Sequence, residues 1–187
     1  LDYFIANGEA AFYGPKIDFM VQDALGREWQ LATPQLDFVQ PKRFGLTYTN
    51  SDGKEKTPVM IHFALMGSLE RFLSVAIEHF AGAFPVWLSP VQVKFVPVSE
   101  KHIEGARKIA EEFKDHDIRI AIDEADETVG KKIRKAAKEK SPYIIVVGDK
   151  ELQGEDWSIR VRGQEEQESM SKDTFIQRIE DETKRRV

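Results

Sequence analysis

Between Pro58 and Phe80 the hydrophobic period of this chain changes from two to about 3.6, which demands a strand running into a helix. Val59 and Ile61 alternate with Met60 and His62. Then Leu65, Leu69, Phe72, Leu73, Ala76, Ile77 and Phe80 recur at three- and four-residue steps, predicting a helix with one buried face. Gly67 and Ser68 interrupt that face near its start, where small residues admit close approach to the backbone. Arg71 lies off the apolar stripe. A strand delivering His62, then a notched helix with an arginine, walls a ligand pocket in one reading. In the other it is an ordinary strand on a helix, with Arg71 paired to Glu70 or Glu78.

The residues before this stretch read as antiparallel β. Lys16–Gln22 alternates Ile17, Phe19 and Val21, Asp23–Gly26 turns, and Arg27–Thr33 returns. Gln35–Val39 and Leu46–Thr49 are shorter β-runs, and Asn50–Gly53 is a turn. Trp29, Phe19 and Phe38 predict a sheet buried on one face under the helix that follows. That helix is expected to stop near Gly82. Pro85 and Pro90 bracket Trp87 and Leu88, which places a domain change near residue 90.

From Val91 strands and helices alternate: strand 92–98, helix 101–114, strand 118–122, helix 128–140, strand 143–147, strand 157–162 and helix 171–185. Ser99 and Ser171 are candidate N-caps. Tyr143–Val147 is nearly all apolar, as in a strand covered on both faces. Glu165–Glu168 reads as a solvated acidic turn. The fold class is therefore α/β, with an α+β first part: an antiparallel sheet with its helix over 1–90, then a mixed-sheet α/β domain over 91–187.

The chain has 187 residues, 41% hydrophobic and 32% charged, which fits one large or two small globular domains. No apolar run reaches a membrane span, so no membrane partner is expected. Without cysteine there is no disulfide and no thiolate ligand. A net charge of −5 means that any nucleic-acid contact uses a local patch. The first residue is not Met, and the expectation is a portion of a longer chain; a processed start is the alternative.

Met60–His62, Gly67–Phe72 and Ile77–Leu88 together resemble motif 3 of a class II aminoacyl-tRNA synthetase, in the form used by threonyl-tRNA synthetases. Ala11–Asp18, Leu25–Gln30 and Gln35–Phe38 resemble the same family's catalytic sheet, and Tyr143–Glu151 its anticodon-binding domain. The similarity covers nearly the whole chain, in the family's order. Prolyl and histidyl types fit the Phe12–Lys16 and Met60–His62 blocks less well.

The resemblance implies a class II catalytic-domain end, without its first two motifs, joined to an anticodon-binding domain. It implies a cytoplasmic threonine–tRNA ligase using threonine, ATP with Mg, and threonine tRNA, homodimeric at full length. By the same resemblance Arg71 packs on ATP and is catalytic with Lys16, while Tyr13, Gln30, Thr33, Gln35, Ala64 and Ser68 line the threonine and ATP pockets. His62 is implied as one of three zinc ligands. The other two lie upstream in the family, so zinc is expected in the full enzyme and not on this chain alone. Neither is adenylate formation expected from the chain alone.

In the second domain Lys131, Lys132, Arg134, Lys135, Lys138 and Lys140 make one helix basic, a pattern suited to phosphate contacts or to a solvated face. Glu151 and Arg160 resemble anticodon-contacting positions, and Asp126 stands where the family often has Asn. Leu31 and Ala32 replace the family's usual Cys-Gly, and Phe63 its Arg. Those departures keep a second reading open, a non-catalytic synthetase paralogue that binds RNA or protein.

Overall fold

The computed structural model describes residues 2–154 and 156–187. It divides into two compact units, the first ending at His79 and the second spanning Phe80–Val187.

In the first unit β1 (Phe19–Gln22), β2 (Glu28–Asp37) and β5 (Met60–Ala64) form an antiparallel sheet in the order β1-β2-β5. A helical turn, α1 (Gln40–Arg43), and a small hairpin of β3 (Tyr48–Thr49) and β4 (Glu55–Lys56) lie between β2 and β5. Asp23 closes the β1–β2 turn: its carboxylate accepts from the Leu25 and Arg27 amides, the Arg27 Nε and the Trp29 indole. β2 is one strand where two were expected. It runs through Pro34, whose missing N–H costs little because Gln35–Asp37 continue the pairing with β5.

The register of β1 on β2 slips between Phe19, opposite Ala32, and Met20, opposite Gln30. Leu31 is thereby a bulge residue, and the bulge reverses which face the following β2 side chains take. Its carbonyl lies where a Cβ on Gly67 (φ +59°) would come within 2.6 Å, so the notch seen in the sequence seats this turn against β2.

α2 (Leu69–His79) starts four residues later than the apolar stripe. The expected burial of that stripe is corrected: Leu65, Leu69, Leu73 and Ile77 are exposed, and Val75 is the helix's buried residue. Phe19 and Phe38 are exposed too. Among the described residues of this unit no layer covers those side chains, so periodicity identified the helix and mis-stated its burial.

The second unit is a mixed five-stranded sheet, order β10-β9-β8-β6-β7, built from β6 (Val93–Pro97), β7 (Ile120–Ile122), β8 (Tyr143–Val147), β9 (Trp157–Val161) and β10 (Gln167–Met170). β6 pairs in parallel with β7 and β8, and β8 antiparallel with β9. On one face α3 (Ile103–Lys114) and α6 (Lys172–Arg185, capped by the Ser171 hydroxyl) enclose Phe95, Phe113, Trp157 and Phe175. On the other, α4 (Val129–Lys138), capped by Thr128, packs Ala136, Val129 and Ile133 against Val96 and Ile144. A short helix, α5 (Asp149–Gln153), follows β8. The acidic turn is corrected in part: Gln167–Met170 is a strand, and Glu168 is half-buried because it pairs with Arg178 on α6.

Phe80–Val91 belongs to this unit. Gln92, almost fully buried, donates to the Val86 carbonyl and Thr183 and accepts from the Arg119 amide. The Arg119 guanidinium bonds the Ser89 and Trp87 carbonyls.

Candidate functional site

Along β2 the bulge at Leu31 brings Gln30 and Thr33 to one neighbourhood that plain alternation would separate. Gln30 Nε2 lies 2.9 Å from Thr33 Oγ1, and both donate to Asp18 Oδ1, at 2.7 and 2.8 Å. Lys16 Nζ is 2.6 Å from Asp18 Oδ2. Desolvation pushes the Asp18 carboxyl up, but the bonds from Lys16, Thr33 and Gln30 together hold it below its usual range. The same ion pair raises the Lys16 ammonium.

Further along the strand, Tyr13 OH donates to Gln35 Oε1 at 2.8 Å. Gln35 sits opposite His62 in the β2–β5 register, and the Tyr13 ring meets the imidazole edge-on at 6.1 Å. His62 Nε2 lies 2.8 Å from Asp37 Oδ2. Asp37 is fully buried, and its other oxygen accepts from the Val39 and Gln40 amides, both at 2.8 Å. Burial opposes its ionisation; the Gln40 amide, His62 and the Val39 amide outweigh that and keep it a carboxylate. Gly14 lets this segment approach: a Cβ there would meet the Leu36 carbonyl oxygen at 2.2 Å.

Arg71, in the first turn of α2, donates from Nη1 to the Gln30 carbonyl at 3.0 Å. Its guanidinium carbon is 5.9 Å from the centre of the Trp29 ring, within cation–π range. Glu78 pairs instead with Arg27, and Ser68 Oγ donates to Glu70. Ser68 and Ala64 are exposed. The structure thus gathers Lys16, Gln30, Thr33, Tyr13, Gln35 and His62 along β2 and its neighbours, with Arg71 tied to the same strand. Sequence reading missed Asp18 and Asp37. Asp18 shares a β-face with Lys16, two residues away, and that spacing was the available signal; nothing local marked Asp37.

As to a metal, His62 offers one imidazole whose Nε2 is engaged with Asp37. Among the described residues no cluster of three or more His, Cys, Asp or Glu side chains could hold an ion. The residues of this chain therefore do not by themselves fit a zinc site.

In the second unit the exposed face of α4 carries a depression of about 570 Å³ lined by Lys131, Arg134, Lys135, Lys138, Glu127 and Glu139. Lys131 pairs with Glu127, and Lys135 Nζ lies 3.7 Å from the buried Asp123. Lys132 stands apart: it is 4% exposed, with Nζ 3.4 Å from the Pro97 carbonyl. It faces the sheet because it falls one turn before Ala136 on the inner side of α4. Asp126 is exposed in the loop after β7. Glu151 on α5 accepts from the Gly148 amide at 2.9 Å. Arg160 on β9 sits opposite Ile144, on the α4 face of the sheet, and its buried Nε has no hydrogen-bond partner among the described residues.

Two family descriptions match this chain in order: the tRNA synthetase class II core domain (G, H, P, S and T) over residues 3–80, and the anticodon binding domain over residues 92–182. The chain is 50% identical over 186 residues to a threonine–tRNA ligase of Thermotoga neapolitana, covering 100% of this chain and 29% of the relative. A threonine–tRNA ligase of Petrotoga mobilis matches at the same identity and coverage. The crystal structure of the RNA binding domain of threonyl-tRNA synthetase from Cryptosporidium parvum superposes with a TM-score of 0.82 at 38% identity, covering 93% of this chain and 44% of that one. The chain thus spans under a third of the length of these curated relatives. With both units matched in order and half of all positions shared with such ligases, the chain belongs to the threonyl-tRNA synthetase family, corresponding to the end of the class II core domain and the anticodon-binding domain.

Proposed function

We propose that this chain supplies part of the adenylate-forming pocket and the anticodon-reading surface of a threonine–tRNA ligase. The observation that carries the reading is the alignment of Lys16, Gln30, Thr33, Tyr13, Gln35 and His62 along β2, with Arg71 fixed to the Gln30 carbonyl. Threonine and ATP with Mg would react to threonyl-adenylate, and threonyl would pass to tRNA. Such chemistry needs oriented reactants and stabilised phosphate charge rather than a paired acid and base. Arg71, planar and always charged, would stack on the nucleotide base, and Lys16 would neutralise developing anionic charge. Ala64 and Ser68, exposed beside them, would border the ATP pocket. In the longer enzyme His62 would contribute one zinc ligand, completed by residues outside this chain. A cytoplasmic location and a homodimer go with that reading.

On the second unit Lys131, Arg134, Lys135 and Lys138 would contact tRNA phosphates, with Asp126, Glu151 and Arg160 at the anticodon. Lys132 would act from inside, holding the end of β6. In the longer chain, threonine-dependent pyrophosphate exchange is expected and should fall at least about 10-fold in Arg71→Ala; this chain alone should show none. Exchange by the longer chain undiminished in Arg71→Ala would overturn the catalytic assignment. No exchange by an intact, folded longer chain that still binds RNA would favour the non-catalytic paralogue. Lys135→Ala should weaken all tRNAs alike and reduce the salt slope by about one unit, whereas Arg160→Ala should cost about 1–3 kcal/mol of discrimination for the threonine anticodon.

A further inference from the structure

Gln30 and Thr33 both give a proton to Asp18, and that fixes what they have left to offer. An ionised carboxylate only accepts, so the Gln30 amide must turn its Nε2 toward Asp18 and leave Oε1 for a ligand. Thr33 has a single hydroxyl proton, and it too is given to Asp18 Oδ1 while the oxygen accepts from Gln30. On the other oxygen Asp18 restrains the Lys16 ammonium at 2.6 Å.

We propose that Asp18 is a positioning residue that sets the polarity of this pocket, presenting the Gln30 side-chain oxygen Oε1 as an acceptor and holding Lys16 as the adjacent cation. The ligand it selects carries a donor, such as an ammonium or hydroxyl, next to an anionic carboxylate or phosphate; an amino acid and its acyl-phosphate both have that pattern. The inference rests on the proposed threonine- and ATP-binding reading of β2. Replacing Asp18 with Asn adds a donor, removes the ion pair to Lys16 and frees the Gln30 amide to flip.

The experiment measures binding of a non-hydrolysable threonyl-adenylate analogue to the longer chain. Asp18→Asn should weaken it on the order of 10- to 100-fold in a variant that remains folded by circular dichroism at the assay temperature. In a Gln30→Leu background the same substitution should cost clearly less, leaving only the part due to the lost restraint on Lys16. An undiminished penalty in that background, or no loss in Asp18→Asn alone, would overturn the proposal. No binding by the unsubstituted longer chain would instead remove the underlying reading, and this inference with it. Should Asp18→Asn fail to fold, the side-chain amide of Gln30 in the unsubstituted chain decides: protons deshielded and slow to exchange support the bonds to Asp18 and Thr33, and two protons exchanging as fast as those of an exposed glutamine refute them.

Discussion

Phe113 is fully buried among Phe95, Trp157 and Phe175, whereas Phe63, on a strand of the first unit, is 58% exposed. The contrast is general. Among the described residues, Leu31, Pro41 and Val75 are the buried apolar side chains of the first unit, and the second holds a core of stacked aromatics and aliphatics between α3, α6 and the sheet. Tyr3, Phe4, Phe12, Ile61, Leu65 and Leu69 are more than half exposed in the first unit. Three strands with an uncovered apolar face are a marginal structure. The second unit buries enough to stand alone; the first relies on directed polar bonds, which contribute only about 1 kcal/mol each. The same polar bonds form the candidate site, so the unit that holds it is the less self-sufficient one.

Hydrogen exchange should break or sharpen this contrast most strongly. Amides of β6 and β8 should exchange slower than those of β1 by a factor on the order of 10³ or more, because the latter open locally without unfolding the second unit. Equal protection in both units would mean that they unfold together. Truncation comes next. Phe113→Ala should destabilise the second unit by about 3–5 kcal/mol, and Phe63→Ala should change the first by less than about 0.5 kcal/mol, both read from denaturant midpoints. A large loss at Phe63 would show that its face is covered.

The smallest effect is on acid titration, for which each unit has a tryptophan reporter. The Trp29 indole donates to Asp23, whose carboxyl is pushed up by desolvation but held far below its ordinary value by Trp29 and Arg27. The Trp157 indole donates to the Glu151 carbonyl, which does not titrate. Because the folded pKa of Asp23 is depressed, its contribution is complete above the unfolded carboxylate pKa, about 3.9, and is lost as pH falls toward the folded value. The Trp29 indole resonance should therefore hold steady through the ordinary carboxylate range and shift only on acidification well below about pH 3.9, before that of Trp157. Simultaneous movement would contradict the assignment.

Much of this protein was legible without coordinates. The periods of two and 3.6 located Met60–Ala64 and α2, and Ser171 caps the helix it was expected to cap; Thr128, expected inside its helix, caps it instead, and Ser99 makes no side-chain cap bond. Residues carried over from the family resemblance met along β2 because strand pairing is itself encoded by alternation and turns. Other features were decided only in three dimensions. The bulge at Leu31 reverses a parity that no single strand reveals, and so sets Gln30 beside Thr33. Asp37 lies 25 positions from His62, a separation closed only by the β2–β5 register. Lys132 looked like one cation among six until α4 docked with that side inward. Periodicity tells which side of an element is apolar, but not whether anything covers it. That depends on which surfaces tertiary packing brings together, and it separates the exposed stripe of α2 from the closed core beneath α3.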